Sequence, residues 1–379
     1  MAQMSNKVSK RKIFIYPHSY LRDRQIDRIK EMCSDGNAHL KVLNKDKFIF
    51  KIGNQVSAKQ SLSEDVKAKK WFQYLPAINI KVRPKDAPKD AVIYIWGGIV
   101  ICGPFILDID NPWALVGYNP FAMRIFKQFI KWKLLSKSCQ EIRVMSKACA
   151  KSMELIFGKE IRSKLTLSYP KMAFKENNLS IRKSHQEVRF LFVGTQFEIK
   201  GGEALLRAFL LLYAENNNCS LTLVTHLPER FKKIVDECDG IRFFEAKFTR
   251  EEVHSEFMSQ ADALVFPTLG ESFGLVALEA LAHSMYLIAS NVYALSELVD
   301  EGRNGKIIEP PISVWEDVMP SKYFTSGQNY KFDVRMTSMN EFIEEIYLAM
   351  KDFLYNPQLV MERRMASHDK LKQMYREAL

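Results

Sequence analysis

Two glutamates and a lysine in the second half of the sequence stand where a ligand could be held. Lys200 is followed by Gly201 and Gly202 in the stretch VGTQFEIKGG, and Glu271 and Glu279 stand eight positions apart in GESFGLVALEALA. A lysine beside the free N–H groups of a helix start is a suitable phosphate site. Carboxylates accept hydrogen bonds from sugar or ribose hydroxyls. The spacing therefore predicts a site for a ligand that carries both phosphate and hydroxyl groups.

The residues after Glu271 are predicted to add a second set of N–H groups that could donate hydrogen bonds to a phosphate. Ser272 is predicted as the N-cap of a helix, with the N–H groups of Phe273 and Gly274 in its first turn. Glu279 then lies about 10 Å further along the helix axis, among alanines and leucines. Its carboxylate is either buried and satisfied by ligand hydroxyls or exposed on the polar edge of the helix.

A third stretch, ASNVYALSEL, is predicted to form another wall of the same site. A strand ends there, and a short helix begins near Ala294. Glu297 falls in the first turn of that helix, so its carboxylate is a further candidate ligand contact.

These residues need a scaffold, and the alternation of apolar segments with helical ones supplies it. Strand segments such as Val188–Gly194 show little polar alternation, which indicates parallel sheets covered on both faces. We expect an α/β fold with two doubly wound Rossmann-like domains facing each other across a cleft. The expected boundaries are 1–175, 188–340 and 341–379, with a linker at 175–186 and with the last helices packing back toward the first domain. Ligands in such sheets lie beyond the carboxyl ends of the strands.

Charge is distributed unevenly along the chain. The net charge is +11, but residues 1–180 carry a balance of +18 and residues 181–379 a balance of −7. A strongly basic half indicates an anionic partner, such as nucleic acid, an anionic membrane surface or a phosphorylated substrate. The alternative is a solvated, lysine-rich surface.

One basic segment, FAMRIFKQFIKWKLLSK, predicts an amphipathic helix with two possible uses. Phe121, Ile125, Phe129 and Trp132 are interleaved there with arginine and lysine. The helix either docks on an anionic membrane or packs these side chains into the core behind a basic outer face.

The remaining composition is typical of a cytoplasmic protein. The six cysteines form no CxxC pair, which predicts reduced thiols without a disulfide framework or a zinc site. The uncharged run Ala91–Leu107 is interrupted by Gly97-Gly98 and Gly103-Pro104. It therefore predicts two buried strands around a turn instead of a transmembrane helix.

Polar residues that follow strands of the first half are candidates for contacts to a second substrate. Asp110 and Asn111 come after the strand PFILDID, and His18 follows the first strand of the chain. Asp110 or His18 could act as an acid, a base or a substrate ligand. Asp108 and Asp110 also spell Asp-x-Asp, a pattern in which two carboxylates share a divalent cation.

Three motifs in order give the second half a family resemblance. The stretches GTQFEIKGG, FPTLGESFGLVALEALA and ASNVYALSELVDEGRNGKIIEP resemble the donor-binding domain of family 4 glycosyltransferases of the GT-B fold. Glu271 and Glu279 match the E-x7-E signature of that family. The resemblance covers about residues 188–310 and is faint over the first half.

The resemblance implies a role for each motif residue. Lys200, beside Gly201, would contact the diphosphate of a nucleotide sugar, and the N–H groups around Ser272, Phe273 and Gly274 would bind its phosphate or its sugar. Glu271 would lie against the transferred sugar, and Glu279 would hold ribose hydroxyls. Members often carry an arginine where this chain has Thr195. Thr195 is therefore expected to line the donor site without a charge, which leaves more of the phosphate charge to Lys200.

The resemblance also implies an activity. A sugar would pass from the nucleotide donor to a glycan or lipid-linked acceptor, with retention of anomeric configuration, no obligatory metal and no further cofactor. The domain 1–175 would bind the acceptor. The expected role is the synthesis of a polysaccharide or glycoconjugate. We expect the protein to be cytoplasmic, with possible attachment to the inner face of a membrane through its basic first half. Nucleic acid is not an expected partner.

Several alternatives stay open from the sequence. One is a metal-dependent glycosyltransferase of the GT-A type that uses Asp108 and Asp110. Another is a basic protein that binds nucleic acid or a membrane without catalysis. The others are a GT-B-like sugar epimerase or phosphorylase, and a glycosyltransferase that has lost its activity and serves as a scaffold.

Overall fold

A computed structural model describes residues 13–15, 23–34, 78–83, 87, 89–172, 187–324, 339–356 and 360–378. The chain divides into two compact units, and the boundary falls between Lys171 and Met172. His18 and the predicted linker at 175–186 lie outside the described residues.

The first unit is built around a five-stranded parallel sheet. Its elements in chain order are β1 (Ile13–Ile15), α1 (Asp23–Ser34), β2 (Ile80–Lys81), β3 (Val92–Trp96), β4 (Ile99–Val100), β5 (Phe105–Ile109), α2 (Pro120–Leu135), β6 (Cys139–Val144), α3 (Lys147–Phe157) and β7 (Leu165–Leu167), with 3-10 helices at Pro112–Val116 and Lys159–Lys164. The sheet order is β1-β3-β5-β6-β7, and β2 pairs with β4 in a separate ribbon.

The long uncharged run of the first half forms strands, as predicted. All residues of β3 and β5 are buried, because helices cover the sheet and the side chains are almost entirely apolar. Gly97 has φ +55 and Gly103 has φ +88, so the chain turns at the glycines that interrupt the run. Among the described residues, no helix combines the length and the hydropathy needed to cross a bilayer.

The second unit contains a six-stranded parallel sheet and most of the described helices. Its elements are β8 (Val188–Gln196), α4 (Gly202–Glu215), β9 (Cys219–His226), α5 (Glu229–Asp236), β10 (Ile241–Glu245), α6 (Arg250–Glu252) continued by a π-helix (Val253–Met258), β11 (Ala263–Phe266), α7 (Leu275–Ala282), β12 (Tyr286–Ser290), a 3-10 helix (Leu295–Leu298), β13 (Gly305–Ile308), β14 (Trp315–Glu316), β15 (Met319–Pro320), α8 (Asn340–Tyr355) and α9 (Val360–Glu377).

The strand order of this sheet fixes where a ligand crevice forms. The order is β10-β9-β8-β11-β12-β13, and every pairing is parallel. Counted within the unit, this is the 3-2-1-4-5-6 order of dinucleotide-binding folds. The order reverses between β8 and β11, so the loops after these two strands diverge and leave a crevice between them. The predicted α/β class with two Rossmann-like units is confirmed.

The C-terminal helices belong to the second unit. Phe353 of α8 is fully buried, stacks on Tyr286 of β12 at 4.7 Å between centroids and meets Phe190 of β8 edge-on at 6.2 Å. On α9, the Arg364 side chain donates to the Ser284 carbonyl at 3.0 Å. These contacts make α8 and α9 part of the unit that carries the sheet. Their expected packing toward the first domain stays a prediction.

Phe353→Ala tests whether α8 completes this core. Removing a fully buried ring leaves a cavity, so we expect the free energy of unfolding of the second unit to fall by about 3–5 kcal/mol in urea titrations. Leu348→Ala, on the same helix but half exposed, is the matched control. It should change stability by no more than about 0.5 kcal/mol. Equal effects of the two changes would contradict this packing.

Candidate functional site

Lys200 lies at the crevice because the loop after β8 turns sharply. Gly201 precedes α4 with φ +75, and a Cβ there would stand 1.9 Å from the carbonyl oxygen of Pro267. A Cβ on Gly202 would stand 2.3 Å from the ring of Phe197. Glycine is therefore required at both positions. Gly202 lets the loop after β8 fold against its own Phe197, and Gly201 brings this loop against the loop after β11.

The ammonium of Lys200 joins the two loops. It donates to the carbonyl oxygen of Gly270 at 3.0 Å and to Oε2 of Glu271 at 2.8 Å. A backbone bond from the Leu269 N–H to the Ile199 carbonyl, at 2.8 Å, adds a second link. The side chains of Lys200 and Glu271 are 16% and 22% exposed, so the pair is shielded but still open to a ligand.

Glu271 is held as a carboxylate. Burial by itself would raise its pKa. The Lys200 ammonium and the N–H groups of Ser272 and Phe273 outweigh burial and lower the pKa below its ordinary value. The Ser272 N–H donates to Oε1 at 2.9 Å, while Lys200 takes Oε2. Both carboxylate oxygens therefore have partners within the protein.

The predicted N-cap at Ser272 is wrong by two residues. The N-cap is Gly274, with φ +85 and no side-chain cap, and α7 begins at Leu275. A Cβ on Gly274 would lie 2.4 Å from Cδ2 of Leu295, so this left-handed cap and its packing both require glycine. Glu271, instead of Ser272, takes up N–H groups of the loop.

The first turn of α7 still leaves donors for a ligand. The N–H groups of Ala277 and Leu278 donate to the Gly274 carbonyl at 3.0 and 3.1 Å. The N–H groups of Leu275 and Val276 precede the first helical bond, and no carbonyl in the described part of the chain accepts them. Both residues are half-buried. The helix therefore presents its positive end beside the Lys200–Glu271 pair.

Glu279 is buried, but the chain supplies its own cation for the carboxylate. Arg250 of α6 donates from Nε to Oε1 of Glu279 at 2.6 Å, and Nε2 of His254 lies 3.4 Å from Oε2. The alternative of an exposed Glu279 is wrong, since the residue is 8% exposed. The sequence analysis missed Arg250 and His254. The two residues are four positions apart in the helix that Thr249 caps, and this spacing could have placed both on one helical face.

The other two donor-side candidates lie at the same edge of the sheet. Thr195 is exposed at the carboxyl end of β8. Glu297 is half-buried in the first turn of the 3-10 helix Leu295–Leu298, as predicted. Leu295 of that helix packs against Gly274, which places the predicted third wall next to the start of α7.

The candidates of the first unit are partly used by the fold. Asp108 is buried, accepts from the Tyr94 hydroxyl at 2.5 Å and lies 3.5 Å from Nε of Arg28. This carboxylate is not available to share a cation with Asp110, and the described residues hold no cluster of three or more acidic, His or Cys side chains suited to a metal ion. Asn111 caps the 3-10 helix Pro112–Val116 by accepting the Trp113 N–H. The roles of Asp110 and Asn111 toward an acceptor stay predictions.

Comparison with known proteins agrees with this geometry. Residues 187–316 match the family model described as Glycosyl transferases group 1. A D-inositol 3-phosphate glycosyltransferase of Pseudarthrobacter chlorophenolicus is 32% identical over 143 residues, which are 35% of this chain and 34% of that protein. A protein of the cps region of Klebsiella pneumoniae, described as an uncharacterized 41.2 kDa protein, is 27% identical over 124 residues, 32% of this chain and 33% of that one. The matched segment thus spans about a third of the length of these curated relatives.

Solved structures share the fold along most of the chain. Sucrose-phosphate synthase of Thermosynechococcus elongatus superimposes with a TM-score of 0.58 at 14% identity, over 97% of this chain and 95% of the other. WaaG, a glycosyltransferase involved in lipopolysaccharide biosynthesis, gives 0.54 at 15% identity, over 97% and 98%. Anabaena HepE, solved with UDP and glucose, gives 0.53 at 11% identity, over 96% and 95%. The resemblance to family 4 glycosyltransferases of the GT-B fold is confirmed.

Gly201→Ala tests the loop geometry. Gly302 also has a positive φ, of +74, but nothing lies within 4 Å of the position of its Cβ, so Gly302→Ala is the matched control. Both variants carry the left-handed cost of about 1–2 kcal/mol. We expect Gly201→Ala to lose about 1–3 kcal/mol more, because the backbone oxygen of Pro267 must move. Equal losses in chemical denaturation would show that the close approach is absent.

Proposed function

We propose that this chain, whose residues 187–316 form a glycosyl transferases group 1 domain within a GT-B fold, is a glycosyltransferase that uses a nucleotide-diphosphate sugar. The observation that carries the proposal is the placement of the Lys200 ammonium at the β8–β11 crevice, beside the open first turn of α7. A lysine and uncovered N–H groups together form a positive field for a diphosphate.

The chemistry follows from where negative charge develops. Cleavage of the bond from the sugar to the diphosphate leaves a nucleoside diphosphate, and stabilising its growing charge lowers the barrier. Lys200 and the first turn of α7 supply that stabilisation. Because Glu271 already pairs with Lys200, it holds the ammonium at the crevice while a ligand is absent. An incoming phosphate then shares the lysine with Glu271, and the Glu271 carboxylate lies close to the sugar.

The finer parts of the proposal rest on resemblance. We propose retention of anomeric configuration, a glycan or lipid-linked acceptor bound by the first unit, and a role in polysaccharide or glycoconjugate synthesis without an obligatory metal or further cofactor. The descriptions of WaaG and of the Klebsiella cps-region protein support this biosynthetic setting for the present chain. The UDP and glucose in Anabaena HepE support a nucleotide sugar as donor.

A thermal-shift screen against UDP-, GDP- and ADP-sugars tests the donor. At about 100 times its Kd, a ligand stabilises the native state by roughly 2.7 kcal/mol. We expect one donor to raise the melting temperature of the wild type and Lys200→Ala to abolish that rise. Lys200→Arg should keep part of it. Lys306→Ala, which removes another Lys–Glu pair at the surface, should keep all of it. No shift with any donor would favour the scaffold alternative.

We further propose that α2 attaches the protein to an anionic membrane of the cytoplasmic compartment. Phe121, Ile125, Phe129 and Trp132 are 61%, 50%, 41% and 64% exposed. The alternative in which these four side chains pack into the core is therefore wrong. The opposite face of α2, with buried residues such as Ala122, contacts the unit instead.

Charge complementarity favours an anionic lipid surface as the occupant of this face. Arg124 is exposed within the apolar stripe, and Lys137 is exposed just after the helix. Residues 1–180 as a whole carry the positive balance. Exposed aromatic rings beside cations are the side chains that insert at the boundary between lipid head groups and acyl chains.

Vesicle cosedimentation tests this attachment. We expect the wild type to bind vesicles of phosphatidylglycerol and phosphatidylcholine, and to bind pure phosphatidylcholine weakly. The double variant Phe129→Ser, Trp132→Ser should lose binding to the mixed vesicles with an unchanged melting temperature, because both side chains are solvent-exposed. Leu211→Ser, at an exposed apolar residue of α4, is the control and should bind normally. Undiminished binding by the double variant would refute the assignment.

A further inference from the structure

A cavity in the second unit lies apart from the residues assigned to the donor. It has a volume of about 570 Å³, which is a usual size for a ligand pocket. It opens at the carboxyl ends of β12 and β13, where Asn291 follows the first strand and Glu309 the second. The hairpin of β14 and β15 forms part of its wall, so we call it the hairpin cavity. Among the described residues that line it, none is Lys200, Glu271 or Glu279.

Tyr293 lines the hairpin cavity from an unfavourable backbone conformation. Its φ is +51, a left-handed angle that is rare for a bulky residue and that glycine adopts without cost. The ring is buried and lies 4.5 Å from the ring of Trp315, measured between centroids. Backbone strain of this kind is concentrated at ligand-binding and catalytic sites. The chain thus retains strain at the point where Tyr293 and Trp315 together form the floor of the cavity.

Hydrogen bonds beside the hairpin hold Trp315 in place. The Ser321 N–H donates to the Val314 carbonyl at 3.0 Å, and the Ser321 hydroxyl donates to the Ser313 carbonyl at 2.5 Å. The Ser313 hydroxyl accepts the Trp315 N–H at 3.1 Å. The ring of Phe324 lies 5.1 Å from that of Trp315. The indole is therefore fixed in the free protein, so a ligand that packs on it loses little affinity to side-chain ordering.

The hairpin cavity is a neighbour of the donor crevice. The Val314 N–H donates to the carbonyl of Leu269, in the loop after β11, at 3.1 Å. Ser296 of the 3-10 helix between β12 and β13 lines the cavity, while the adjacent Leu295 packs against Gly274 at the start of α7. The same short helix therefore contacts the crevice with one residue and the cavity with the next.

The charges of the lining select an uncharged ligand. Glu309, Glu316 and Asp317 are exposed acidic residues, and Lys322 is the one basic residue among the described lining residues. This negative balance disfavours a phosphate or another anion. The part of the chain that the structure describes holds no group of three or more acidic, His or Cys side chains suited to a metal ion, which disfavours a metal cation. A neutral ligand that carries hydrogen-bond donors remains.

A neutral sugar unit matches the lining of the hairpin cavity. Sugar hydroxyls donate to carboxylate oxygens, and the amide of Asn291 can both donate and accept. Asn291 donates to Oε1 of Glu309 at 2.8 Å, which ties the ends of β12 and β13 together at the cavity. The C–H groups on the face of a pyranose pack on aromatic rings, here the fixed indole of Trp315 and the half-buried ring of Tyr323.

We propose that the hairpin cavity is a second carbohydrate-binding site, which holds an uncharged pyranose unit of the glycan that the enzyme extends. The inference rests on the proposed function, which supplies a glycan as acceptor. It gives the second unit a contact with the acceptor that is separate from the donor crevice. A glycan held at two sites dissociates more slowly than one held at a single site, so the cavity favours acceptors of more than one sugar unit.

Saturation-transfer difference NMR tests the site with the methyl glycosides of glucose, galactose, mannose, rhamnose and N-acetylglucosamine. We expect at least one glycoside to bind the wild type, and inorganic phosphate to leave its Kd unchanged. Tyr293→Gly should weaken this Kd about three- to tenfold, because it removes a ring contact while glycine adopts the left-handed backbone freely. Tyr293→Phe keeps the ring and should bind within about twofold of the wild type.

Further variants and a competitor place the signal in the hairpin cavity. Ser284→Gly changes another left-handed residue of the same unit, with φ +56, before the amino end of β12. It should leave glycoside binding unchanged. Tyr323→Leu keeps an apolar side chain without the ring, and it should weaken glycoside binding while keeping the rise in melting temperature with the donor. The nucleotide sugar that causes this rise should not displace the glycoside. Melting temperatures show whether each variant is folded.

The outcomes for this site and for the proposed function are distinguishable. The cavity assignment is overturned if no glycoside binds the wild type, if Tyr293→Gly and Tyr323→Leu bind as tightly as the wild type, or if the nucleotide sugar displaces the glycoside. In each of these cases the proposed function stands. If no nucleotide sugar shifts the melting temperature, the proposed function falls, and the assignment of the cavity to an acceptor falls with it.

Discussion

The ion pair between Lys200 and Glu271 is the contact on which the crevice of the second unit depends. It joins the loop after β8 to the loop after β11, at the one place in the sheet where the strand order reverses. Loops at such a point diverge, and without a link their relative position is set only by the strands beneath them. The pair, with the Leu269–Ile199 backbone bond, fixes that position and retains a positive charge at the crevice.

Glycine makes this arrangement possible on both sides. Gly201 lets the first loop pass against the Pro267 carbonyl, and Gly274 lets α7 begin in a left-handed cap against Leu295. Neither helix start carries a side-chain cap, so the N–H groups that a serine or aspartate would occupy are left for Glu271 or for a ligand. The positive field at the crevice thus comes from the backbone N–H groups as much as from the lysine.

The two carboxylates of the motif have different environments and different uses. Glu271 is partly exposed, has a lowered pKa and is saturated by a cation and backbone donors. Glu279 is buried deeper and pairs with Arg250 at one oxygen only. One carboxylate therefore organises the loop after β11 around Lys200, while the other lies between Arg250 and His254 of a neighbouring helix. The two glutamates differ in environment because Glu271 is paired with Lys200 and backbone N–H groups, whereas Glu279 is paired with Arg250.

The sequence by itself determined the parallel α/β class, the confinement of Lys200, Glu271 and Glu297 to one sheet edge, and the strands of the run Ala91–Leu107. Apolar periodicity and glycine placement are local, and they are enough for such predictions. Only the tertiary structure decided that Gly274 caps α7, that Arg250 reaches Glu279 from another helix, and that the apolar stripe of α2 faces solvent. A cap depends on a backbone angle, and a pairing or an exposed face depends on which elements pack together. Neither is encoded in the spacing of a single segment.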